Sequence, residues 1–456
     1  MADLTADVLV IGWGKGGKTL AGVRARAGDR VVMVEQSDQM YGGTCINIGC
    51  VPTKALVHHA DERRDSDEPV VWYHDAIGAV QKLTAAMRQK NFDMLDTVDT
   101  ATVVTGRASF VDDHTVEVVA GDDRLLVSAE VILVNTGAVP VIVPIEGLAG
   151  SSRLATNAEL LRHDVFPQRL VIIGGGYIGL EFASMYRELG SQVTVLEAGE
   201  FLPREDDRVR DTVREVLQNA GTVIHTGAKV TRVVDADDAT VVHYELADGT
   251  TAEAPADIVL ASTGRKPATE GLNLAAAGVE VGARGEVVVN EFLQTSQPHI
   301  YALGDVNGGP QFTYVSLDDH RIVLDHRWGS GKRSNTDRVA VPQTTFLTPP
   351  LASVGLTEKA AREAGHDVVV ADKNVADMAM MPRPKIVGDP RGFMRFVVDR
   401  GSRQVLGATL MVVEAQEVIN VVALAMRHGV TADELRDAIY THPSVTEGFN
   451  DVLGLI

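Results

Sequence analysis

The chain begins with an apolar run that leads into a glycine-rich turn and then into an amphipathic segment. Residues 7–12 have the sequence DVLVIG, and such a short apolar run predicts a strand buried on both faces of a parallel sheet. The turn has the spacing Gly12-x-Gly14-x-x-Gly17, and a second apolar run closes on Glu35. These glycines permit a tight turn and the close approach of a pyrophosphate to a helix N-terminus, while the terminal acid accepts hydrogen bonds from ribose hydroxyls. The pattern therefore predicts a dinucleotide site.

The same pattern occurs a second time near the middle of the chain. The segment RLVIIGGGYIGLEFASMYRELGSQVTVLE has Gly174, Gly176 and Gly179 at the glycine positions and Glu197 at the end of its second apolar run. A single copy could belong to a doubly wound sheet that uses its glycines only for packing. Two complete copies favour two nucleotide sites in one chain.

Three more apolar runs each end at a turn that contains glycine. These turns contain Thr136–Gly137, Thr263–Gly264 and Gly304–Asp305, and they fit the same nucleotide-binding sheets. Asp305 has a second interpretation, because Gly-Asp pairs also form ordinary turns. The spacing alone leaves both interpretations open.

From about residue 339 the pattern changes to short strands followed by helices. FMRFVVD and VLGATLMVV predict strands, and THPSVTE lies near the end of the chain. Because proline disfavours helical backbone in the residue before it, we expect a helix to begin at Ser444, after His442. Glu447 would then complete a capping box with Ser444, or its carboxylate would orient His442 as a general base. The local sequence leaves both roles open.

The composition is that of a globular protein of several domains. The 456 residues are 45% hydrophobic and 23% charged, and a chain of this length should form two or three domains. The net charge of −20 disfavours nucleic acid or an anionic membrane as a partner. The first residues run directly into a strand, and no apolar stretch is long enough to span a bilayer. We therefore expect no signal peptide and a cytoplasmic location.

The two cysteines of the chain, Cys45 and Cys50, both lie in the segment GGTCINIGCVPTK. Two thiols cannot complete a four-ligand structural zinc site, and a bridge across four residues constrains little of so long a chain. Residues five apart in an ideal helix have Cα atoms roughly 8–9 Å apart, whereas a disulfide needs less than about 7 Å. A bond between them requires a helix distorted at its start, for which Gly42, Gly43 and Gly49 supply the freedom. This favours a redox-active dithiol over two buried structural cysteines.

Together these segments resemble the flavoprotein disulfide reductase family, which includes dihydrolipoamide dehydrogenase, glutathione and mycothiol disulfide reductases and mercuric reductase. The resemblance covers essentially the whole chain, and its most specific motif is GGTCINIGCVPTK, followed in family order by GGGYIGLE, LGDVNGG and HPSVTE. It implies an α/β fold with two Rossmann-like dinucleotide-binding domains and a C-terminal α+β dimerisation domain. The expected domains are residues 1–150 with 265–338 for FAD, 151–264 for NAD(P)H and 339–456 for dimerisation.

The resemblance also implies which residues hold the cofactors. FAD is expected at the first fingerprint and the nicotinamide cofactor at the second, with Tyr177 as a gate over the flavin. The implied FAD contacts are Gly12, Gly14, Gly17, Glu35, Gly43, Thr44, Lys54, Thr136, Gly137, Gly304 and Asp305. The implied nicotinamide-cofactor contacts are Gly174, Gly176, Tyr177, Gly179, Glu197 and Gly264. Because Glu197 would repel a 2′-phosphate and the next basic residue is Arg204, NADH is expected over NADPH.

The dithiol and a lysine–glutamate pair are the first group of implied catalytic residues. Cys50 resembles the thiol beside the flavin, and Cys45 resembles the interchange thiol that meets the substrate. Lys54 is expected beside flavin N5, paired with Glu181. Glu181 has another explanation, because a carboxylate in the first turn of a helix is stabilised by the helix dipole.

His442 and Glu447 resemble the acid–base dyad of this family. In the family that dyad comes from the partner subunit of a homodimer. The catalytic site is therefore expected to exist only in the homodimer.

Several segments are similar to the bacterial reactive-chlorine-resistance flavoproteins of this family, namely MYGGTCINIGCVPTK, FLPRED, QFTYVSLDDHRIV and MPRPKIVGDPRG. Relatives of that kind have been associated with reduction of hypothiocyanous acid and of copper(II), which implies a small oxidant as the acceptor in oxidative stress defence. Dihydrolipoamide dehydrogenases have an alanine-rich helix in place of FTYVSLDD. Mercuric reductases and large thioredoxin reductases add a second thiol pair, which the terminal DVLGLI does not contain.

Two alternative functions stay open at this point. The first is a dihydrolipoamide dehydrogenase or a reductase of low-molecular-weight disulfides of the glutathione or mycothiol type. The second, from a different class, is a flavin redox sensor whose dithiol reports oxidation to a partner protein. The complete second fingerprint argues against a sensor, because a sensor needs no turnover.

We predict no metal site. His58 and His59 follow the redox segment, but adjacent histidines face different sides of a helix and are more typical of a surface. Met378, Met380 and Met381 could offer thioethers to Cu(I), although methionines more often fill an irregular apolar contact.

Overall fold

The computed structural model describes residues 3–456. Its first part alternates strands and helices and ends in a β-meander, with the bounds β1 (Leu4–Ile11), α1 (Lys15–Arg26), β2 (Val31–Glu35), α2 (Gly43–Asn47), α3 (Cys50–Glu62), α4 (Pro69–Asp96), β3 (Ala101–Thr105), β4 (Arg107–Phe110), β5 (Thr115–Ala120), β6 (Asp123–Val134) and β7 (Ala138–Pro140).

The middle part repeats the strand–helix alternation. Its bounds are β8 (Leu154–Ala155), α5 (Asn157–Leu160), β9 (Arg169–Ile173), α6 (Tyr177–Glu188), β10 (Gln192–Glu197), α7 (Asp207–Asn219), β11 (Val223–Thr226), β12 (Lys229–Asp235), β13 (Thr240–Glu245), β14 (Thr251–Ala256), β15 (Ile258–Ala261) and β16 (Arg265–Pro267).

The last part returns to the first sheet and then forms a separate antiparallel sheet with helices. Its bounds are β17 (Ile300–Ala302), α8 (Thr313–Trp328), β18 (Gln343–Thr345), β19 (Leu351–Gly355), α9 (Glu358–Glu363), β20 (Val368–Asn374), α10 (Arg383–Ile386), β21 (Phe393–Asp399), β22 (Val405–Met411), α11 (Ala415–Arg427), α12 (Ala432–Asp437) and α13 (Gly448–Val452). Short 3₁₀ turns connect several of these elements, among them residues 304–307.

The first sheet has the strand order β3-β2-β1-β6-β5-β4, and β17 pairs with β6. The strands β3, β2, β1, β6 and β17 are parallel, which is the arrangement of a dinucleotide-binding fold. Alternate residues of β1 enter two different hydrophobic cores, with Val8 and Val10 on one face and Leu9 and Ile11 on the other. This burial on both faces is the reason that the strand is continuously apolar in sequence.

The second sheet is parallel throughout and has the order β11-β10-β9-β15-β8. An antiparallel three-stranded sheet, β12-β13-β14, follows β11 in the chain. The ribbon of β7 and β16 lies where the chain leaves the first fold and where it returns. The two fingerprints predicted from sequence thus each lie in a parallel sheet of their own.

The third sheet is antiparallel, in the order β18-β19-β22-β21-β20, and α11 packs on it with a core that includes Phe396 and Ile419. The predicted fold class, two Rossmann-like folds and a C-terminal α+β domain, is confirmed. The strands of each sheet fall within the predicted segments, while the boundaries between the domains stay a prediction. Along residues 3–456, no helix is both long enough and apolar enough to cross a bilayer.

Candidate active site

Cys45 and Cys50 lie on either side of a break between two helices. Cys45 is in the short helix α2, and Cys50 is the first residue of α3. Ile48 and Gly49 lie between the helices, and Gly49 has φ −133° and ψ −120°, where a Cβ would lie 2.9 Å from a backbone oxygen. Gly42 and Gly43 have φ values of +97° and +74° at the start of α2. The distortion expected at the start of the segment is present, and the break between the thiols adds a second one.

The pKa values of the two free thiols are shifted in opposite directions. Interaction with Cys45 lowers the pKa of the exposed Cys50 to about 6, and the Thr313 hydroxyl and the Lys54 charge lower this pKa as well. The oxygen of that hydroxyl lies 3.5 Å from Cys50 Sγ. The shared contact and burial raise the pKa of Cys45. The opposite directions of the two pKa shifts favour the thiolate at Cys50 and the protonated thiol at Cys45 in the reduced pair.

Lys54 lies one turn further along α3 and is paired with a carboxylate of the second nucleotide fold. Its Nζ is 2.7 Å and 2.9 Å from the two carboxylate oxygens of Glu181. Glu181 lies in the second turn of α6, which begins at Tyr177, so a first-turn effect of the helix dipole does not explain it. Glu181 also accepts a hydrogen bond of 2.8 Å from the backbone N–H of Phe346, after β18. The pair thus connects all three parts of the chain beside the thiols.

The first glycine-rich turn opens onto a cleft of about 710 Å³ that also reaches both cysteines. Ten of the predicted site residues line this cleft: Gly12, Gly14, Glu35, Gly43, Thr44, Cys45, Cys50, Thr136, Gly137 and Asp305. The predicted residues Gly17, Lys54 and Gly304 are not among its lining residues. A Cβ on Gly17 would lie 2.7 Å from Val10 Cγ1, so this glycine serves the packing of α1 on β1.

The groups around this cleft fit an FAD. Gly14 is the N-cap of α1 and provides no side-chain cap, so the start of the helix is open to a pyrophosphate. Glu35 ends β2, and its Oε2 accepts a hydrogen bond of 3.0 Å from the backbone N–H of Trp13. Burial raises the pKa of Glu35, as expected for a carboxylate in a closed site that has room for a ribose.

Glycines also let the other walls of the cleft approach each other. A Cβ on Gly43 would lie 2.7 Å from the backbone oxygen of Trp13, so the start of α2 rests directly on the glycine-rich turn. Gly137 has φ +77°, and a Cβ there would lie 3.8 Å from Thr44 Oγ1. The hydroxyl of Thr136 donates to a backbone carbonyl at 2.8 Å. These residues shape the cleft through their backbone.

Asp305 faces the same cleft from a 3₁₀ turn that begins at Gly304. Burial raises the pKa of its carboxyl group, against the opposing charge of Arg265. Arg265 Nη1 lies 3.3 Å from Asp305 Oδ2. The 3₁₀ turn accounts for the backbone conformation of Gly304 and Asp305. The Asp305 carboxylate lies beside Arg265 and faces the cleft.

The second fingerprint has the same backbone features. Gly174 has φ +105°, and a Cβ there would lie 2.6 Å from a backbone oxygen of the neighbouring strand end. Gly176 is the N-cap of α6 and Gly179 lies against Gly174, where no Cβ fits. Gly264, after β15, has φ +114°. This turn can therefore accept a second dinucleotide.

Glu197 is the last residue of β10 and turns its carboxylate back to the fingerprint. Its Oε2 accepts a hydrogen bond of 2.7 Å from the backbone N–H of Gly175. Its Oε1 accepts one of 2.7 Å from Gly199. The carboxylate is thus fixed at the strand end, where the ribose of a dinucleotide binds in such folds.

Tyr177 donates its hydroxyl proton to Glu205 Oε1 at 2.9 Å. Glu205 is almost fully buried, and burial raises its pKa. The carboxylate therefore holds the tyrosine at the N-terminus of α6. Glu205 was not identified from the sequence, although it belongs to FLPRED, one of the segments that carried the resemblance.

His442 and Glu447 are in contact near the C-terminus. His442 Nδ1 lies 2.8 Å from Glu447 Oε1, while Oε2 accepts a hydrogen bond of 2.8 Å from the backbone N–H of Ser444. The helix predicted to begin at Ser444 begins instead at Gly448, so that prediction is wrong. The cap is only half formed, because the buried Ser444 hydroxyl lacks a hydrogen-bond partner among the described residues. The Glu447 carboxylate thus contacts the His442 ring and bonds to the Ser444 backbone, but it completes no capping box, because no helix begins at Ser444.

The dyad is displayed on the surface of the single chain. The side chain of His442 is 70% exposed. Burial opposes the ionisation of Glu447, but the hydrogen bonds from Ser444 and His442 lower its pKa overall. The carboxylate therefore stays ionised near neutral pH and keeps one imidazole nitrogen occupied.

Two polar residues of the site were not identified from the sequence. Asn135 accepts a hydrogen bond of 2.7 Å from the N–H of Gly17 and donates one of 2.5 Å to Leu303 O, so it joins the first turn to the strand end. Its position directly after the apolar run of β6 was the available signal. Thr313 lies 263 positions from Cys50, and its signal was its place in QFTYVSLDDHRIV, one of the segments that carried the resemblance.

One group of potential metal ligands lies far from the thiols in sequence. Among residues 3–456 it consists of Asp113, His114 and His299. The two imidazole rings are stacked, with centroids 3.9 Å apart and planes inclined by 10°. Lone pairs in two parallel planes do not converge on one ion, so this arrangement does not itself form a metal centre.

The other residues considered for metals have ordinary surroundings. His58 is exposed and lies 3.4 Å from Glu62, one turn along α3, with His59 as its less exposed neighbour. Met378 and Met381 are fully buried in the core of the C-terminal domain, whereas Met380 is half exposed. The buried pair thus has the packing role that was favoured from sequence.

Comparison with known proteins gives matches along almost the whole chain. The sequence model of the pyridine nucleotide-disulphide oxidoreductase family matches residues 6–319, and the model of its dimerisation domain matches residues 341–453. The chain is 43% identical over 451 residues to the probable pyridine nucleotide-disulfide oxidoreductase RclA of Escherichia coli (strain K12), covering 99% of both proteins. It is 35% identical over 454 residues to the mercuric reductase of Lysinibacillus sphaericus, covering 97% of this chain and 81% of that enzyme.

A solved structure agrees with these matches. It is the Cu(II) complex of the HOCl-induced flavoprotein disulfide reductase RclA from Escherichia coli, with a TM-score of 0.94 and 42% sequence identity. The alignment covers 99% of both chains. The similarity therefore extends to the arrangement of all three parts.

Proposed function

The chain belongs to the pyridine nucleotide-disulphide oxidoreductase family, and from this we propose that it reduces a small reactive oxidant with its Cys45–Cys50 dithiol. The proposed acceptor is hypothiocyanous acid or a related oxidant, with copper(II) as a second acceptor. The observation that carries the proposal is the position of two free thiols together in the wall of the cleft beside the first glycine-rich turn. The similar Escherichia coli protein is described as HOCl-induced and as a Cu(II) complex, which supports a role in oxidative stress defence.

The cofactors follow from the family, which implies FAD and NAD(P)H. We propose that FAD is held by the first turn with Glu35 and Asp305, and that the nicotinamide cofactor is held by the second turn with Glu197. When bound, these cofactors supply the electron pair that returns the disulfide to the dithiol. The ion pair with Glu181 would fix the Lys54 side chain on the side of the site where the flavin binds.

The chemistry at sulfur needs only the thiols and one acid–base group. Cys45 loses its proton to a base and attacks the electrophilic sulfur of hypothiocyanous acid, and the leaving hydroxide takes up a proton as water. The Cys50 thiolate then attacks Cys45 Sγ, forms the disulfide and expels thiocyanate. Two thiols are thus oxidised while one hypothiocyanous acid is reduced.

We propose that His442 is the acid–base group and that it acts across a homodimer. Its hydrogen bond to Glu447 leaves the other imidazole nitrogen free to take the proton of Cys45 and return it to the leaving hydroxide. The exposure of His442 in the single chain and the match to a dimerisation domain support this arrangement.

A large acidic disulfide would need accessible cations to bind its carboxylates, whereas Lys18 is buried and other cations near this site already have partners. Lys54 is paired with Glu181, and Arg265 lies near Asp305. Arg338 is paired with Asp318 and Asp319 of α8. A small oxidant that reacts directly with a thiolate needs no such cation. The free thiols also fit the reducing cytoplasm, where we propose that the protein acts.

The substrate assignment is tested by NADH oxidation with a panel of acceptors. We expect kcat/KM for hypothiocyanous acid to exceed that for lipoamide, glutathione disulfide and mycothiol disulfide by about 10²-fold or more, because a small electrophile reacts at a thiolate without the binding contacts that a large disulfide needs. Copper(II) is assayed with a Cu(I) chelator as the readout. A higher efficiency with any organic disulfide would transfer the assignment to a disulfide reductase, and a single turnover without steady NADH oxidation would favour a redox sensor.

A second prediction concerns the nicotinamide cofactor. We expect the wild-type protein to prefer NADH, because the fixed carboxylate of Glu197 can accept two ribose hydroxyls and repels a 2′-phosphate. Glu197→Ala should reduce the ratio of kcat/KM for NADH to that for NADPH by about 10-fold, the scale of one or two charge-assisted hydrogen bonds. Glu200→Ala, an exposed carboxylate three positions further on, is the matched control. Equal efficiency with both cofactors in the wild type contradicts the prediction.

A further inference from the structure

A lysine on the first helix is buried beneath the segment that carries the two cysteines. The side chain of Lys18, in α1, is 5% exposed. Lysine is almost never buried to this degree unless a carboxylate pairs with it, because the ammonium group loses its hydration. Burial of the Lys18 ammonium group therefore costs stability, and packing alone does not explain why a lysine occupies this position.

The contacts of Lys18 are with neutral groups. Its Nζ donates to the backbone carbonyl of Gly42 at 3.2 Å and to Asn91 Oδ1 at 2.5 Å. The amide of Asn91 is fixed in this orientation, because its nitrogen donates to the carbonyl of Met87 at 2.7 Å. Among the described residues, Lys18 forms no ion pair. The ammonium group is held at the residue that precedes α2, and α2 carries Cys45.

The two lysines near the thiols therefore differ in charge balance. Lys54, beside Cys50, is neutralised by both oxygens of Glu181. Contact with Cys50 and burial raise the pKa of Cys45, and the positive charge of Lys18, which has no carboxylate partner among the described residues, opposes that rise. In a site of low polarity such a charge is screened little and acts over a longer distance than a paired one.

We propose that Lys18 is a positioning residue whose buried positive charge promotes ionisation of the interchange thiol, Cys45. The resting pair places the negative charge on Cys50, whereas attack on an acceptor requires it on Cys45. The ammonium group of Lys18 stabilises a negative charge on Cys45. Its hydrogen bond to the Gly42 carbonyl fixes the position of the start of α2. The role of Cys45 as the attacking thiol comes from the proposed function, while its ionisation can be measured without any acceptor.

Several other groups contribute to the local field. Lys15, one turn earlier on α1, repels Lys18, and burial lowers the pKa of Lys18 to about 8. From α4, Arg88 donates to the side chain of Asn47 at the end of α2. Thr313 of α8 bonds to the thiols and is uncharged. Because the pKa of Lys18 is lowered, its charge is present at neutral pH and is lost as the pH rises above about 8.

The test measures the alkylation of Cys45 by iodoacetamide in the holoenzyme with Cys50→Ser, where one thiol remains. We expect Lys18→Met and Lys18→Gln each to raise the apparent pKa of Cys45 by about one unit, which slows alkylation about 10-fold near neutral pH. Lys18→Arg should restore most of the rate. Lys90→Met, an exposed lysine beside Asn91, removes the same charge and should leave the profile unchanged.

Lys18→Gln separates the charge from the hydrogen bond, because glutamine can still donate to the carbonyl of Gly42. A wild-type pH profile in folded Lys18→Gln that retains FAD would overturn the inference, whatever happens in Lys18→Met. A shifted profile together with no turnover of small oxidants would retain the inference and reject the proposed function. A wild-type pH profile of alkylation together with efficient turnover of small oxidants would reject the inference and retain the proposed function.

Discussion

Replacing either cysteine by serine is expected to stop steady-state turnover. We expect Cys45→Ser and Cys50→Ser each to lower kcat for NADH oxidation with hypothiocyanous acid by about 10³-fold or more, the scale observed when a nucleophile is removed. The reason is that the electrons reach the acceptor only through a disulfide, which a hydroxyl cannot form. Stopped-flow measurement of NADH absorbance provides the rate.

The two variants should fail at different steps, which gives an internal control. Reduced Cys50→Ser should react once and retain a thiocyanato group on Cys45, visible by mass spectrometry of the intact chain. Reduced Cys45→Ser should acquire no such group at that position. Both should keep the wild-type melting temperature and FAD content. Turnover of Cys50→Ser above about a tenth of the wild-type rate would show that Cys50 does not resolve the adduct.

Loss of the histidine should have the next largest effect. We expect His442→Gln to lower kcat/KM about 10²–10³-fold, because a general acid–base group contributes on this scale and glutamine cannot shuttle a proton. Glu447→Gln keeps the shape but removes the charge that orients the ring, so a smaller loss is expected. Since hydrogen bonds lower the pKa of Glu447, its contribution should persist at neutral pH and disappear only as the pH falls through that lowered value.

Mixing two inactive variants tests whether the dyad acts across the dimer. Subunits of Cys45→Ser and His442→Gln are co-expressed with different tags, or exchanged after mild dissociation. If the sites combine residues of two subunits, random mixing should recover about a quarter of the wild-type sites, because half of the dimers then contain one intact site of two. Mixed Cys45→Ser and Cys50→Ser subunits are the matched control and should stay inactive. If the first mixture recovers no activity, either the dyad and the dithiol act within one subunit or the dyad does not act on the dithiol.

The predicted effects on the thiols depend on contacts between different parts of the chain. The cleft and both thiols belong to the first fold, while Glu181 and Phe346 come from the second fold and from the start of the C-terminal domain. A substitution that weakens the contact between these parts should therefore change the reactivity of the thiols, even where the substituted residue does not touch them. The ion pair of Lys54 and Glu181 is the most direct such connection.

Local patterns determined the elements that hold the cofactor sites. Each fingerprint is a continuous apolar strand, a glycine turn and a second strand with a terminal acid, and β1, β2, β9 and β10 lie where these patterns predicted. This succeeds because a strand buried on both faces must be apolar, and because the glycine conformations are imposed by backbone geometry within a few residues. The positions of Cys45, Cys50, Glu35 and Glu197 followed from the same local rules.

The tertiary structure decided which distant side chains meet and what charge they carry. Asn135 and Thr313 reach the site from positions 118 and 263 residues away from their partners, and no periodic pattern marks them. The helix expected at Ser444 begins at Gly448, because the Glu447 carboxylate bonds His442 and the Ser444 backbone in a turn. Lys18 looks like any lysine of an amphipathic helix until α2 and α4 cover it. Burial and pairing are properties of the packed chain, so ionisation at this site could be known only from the fold.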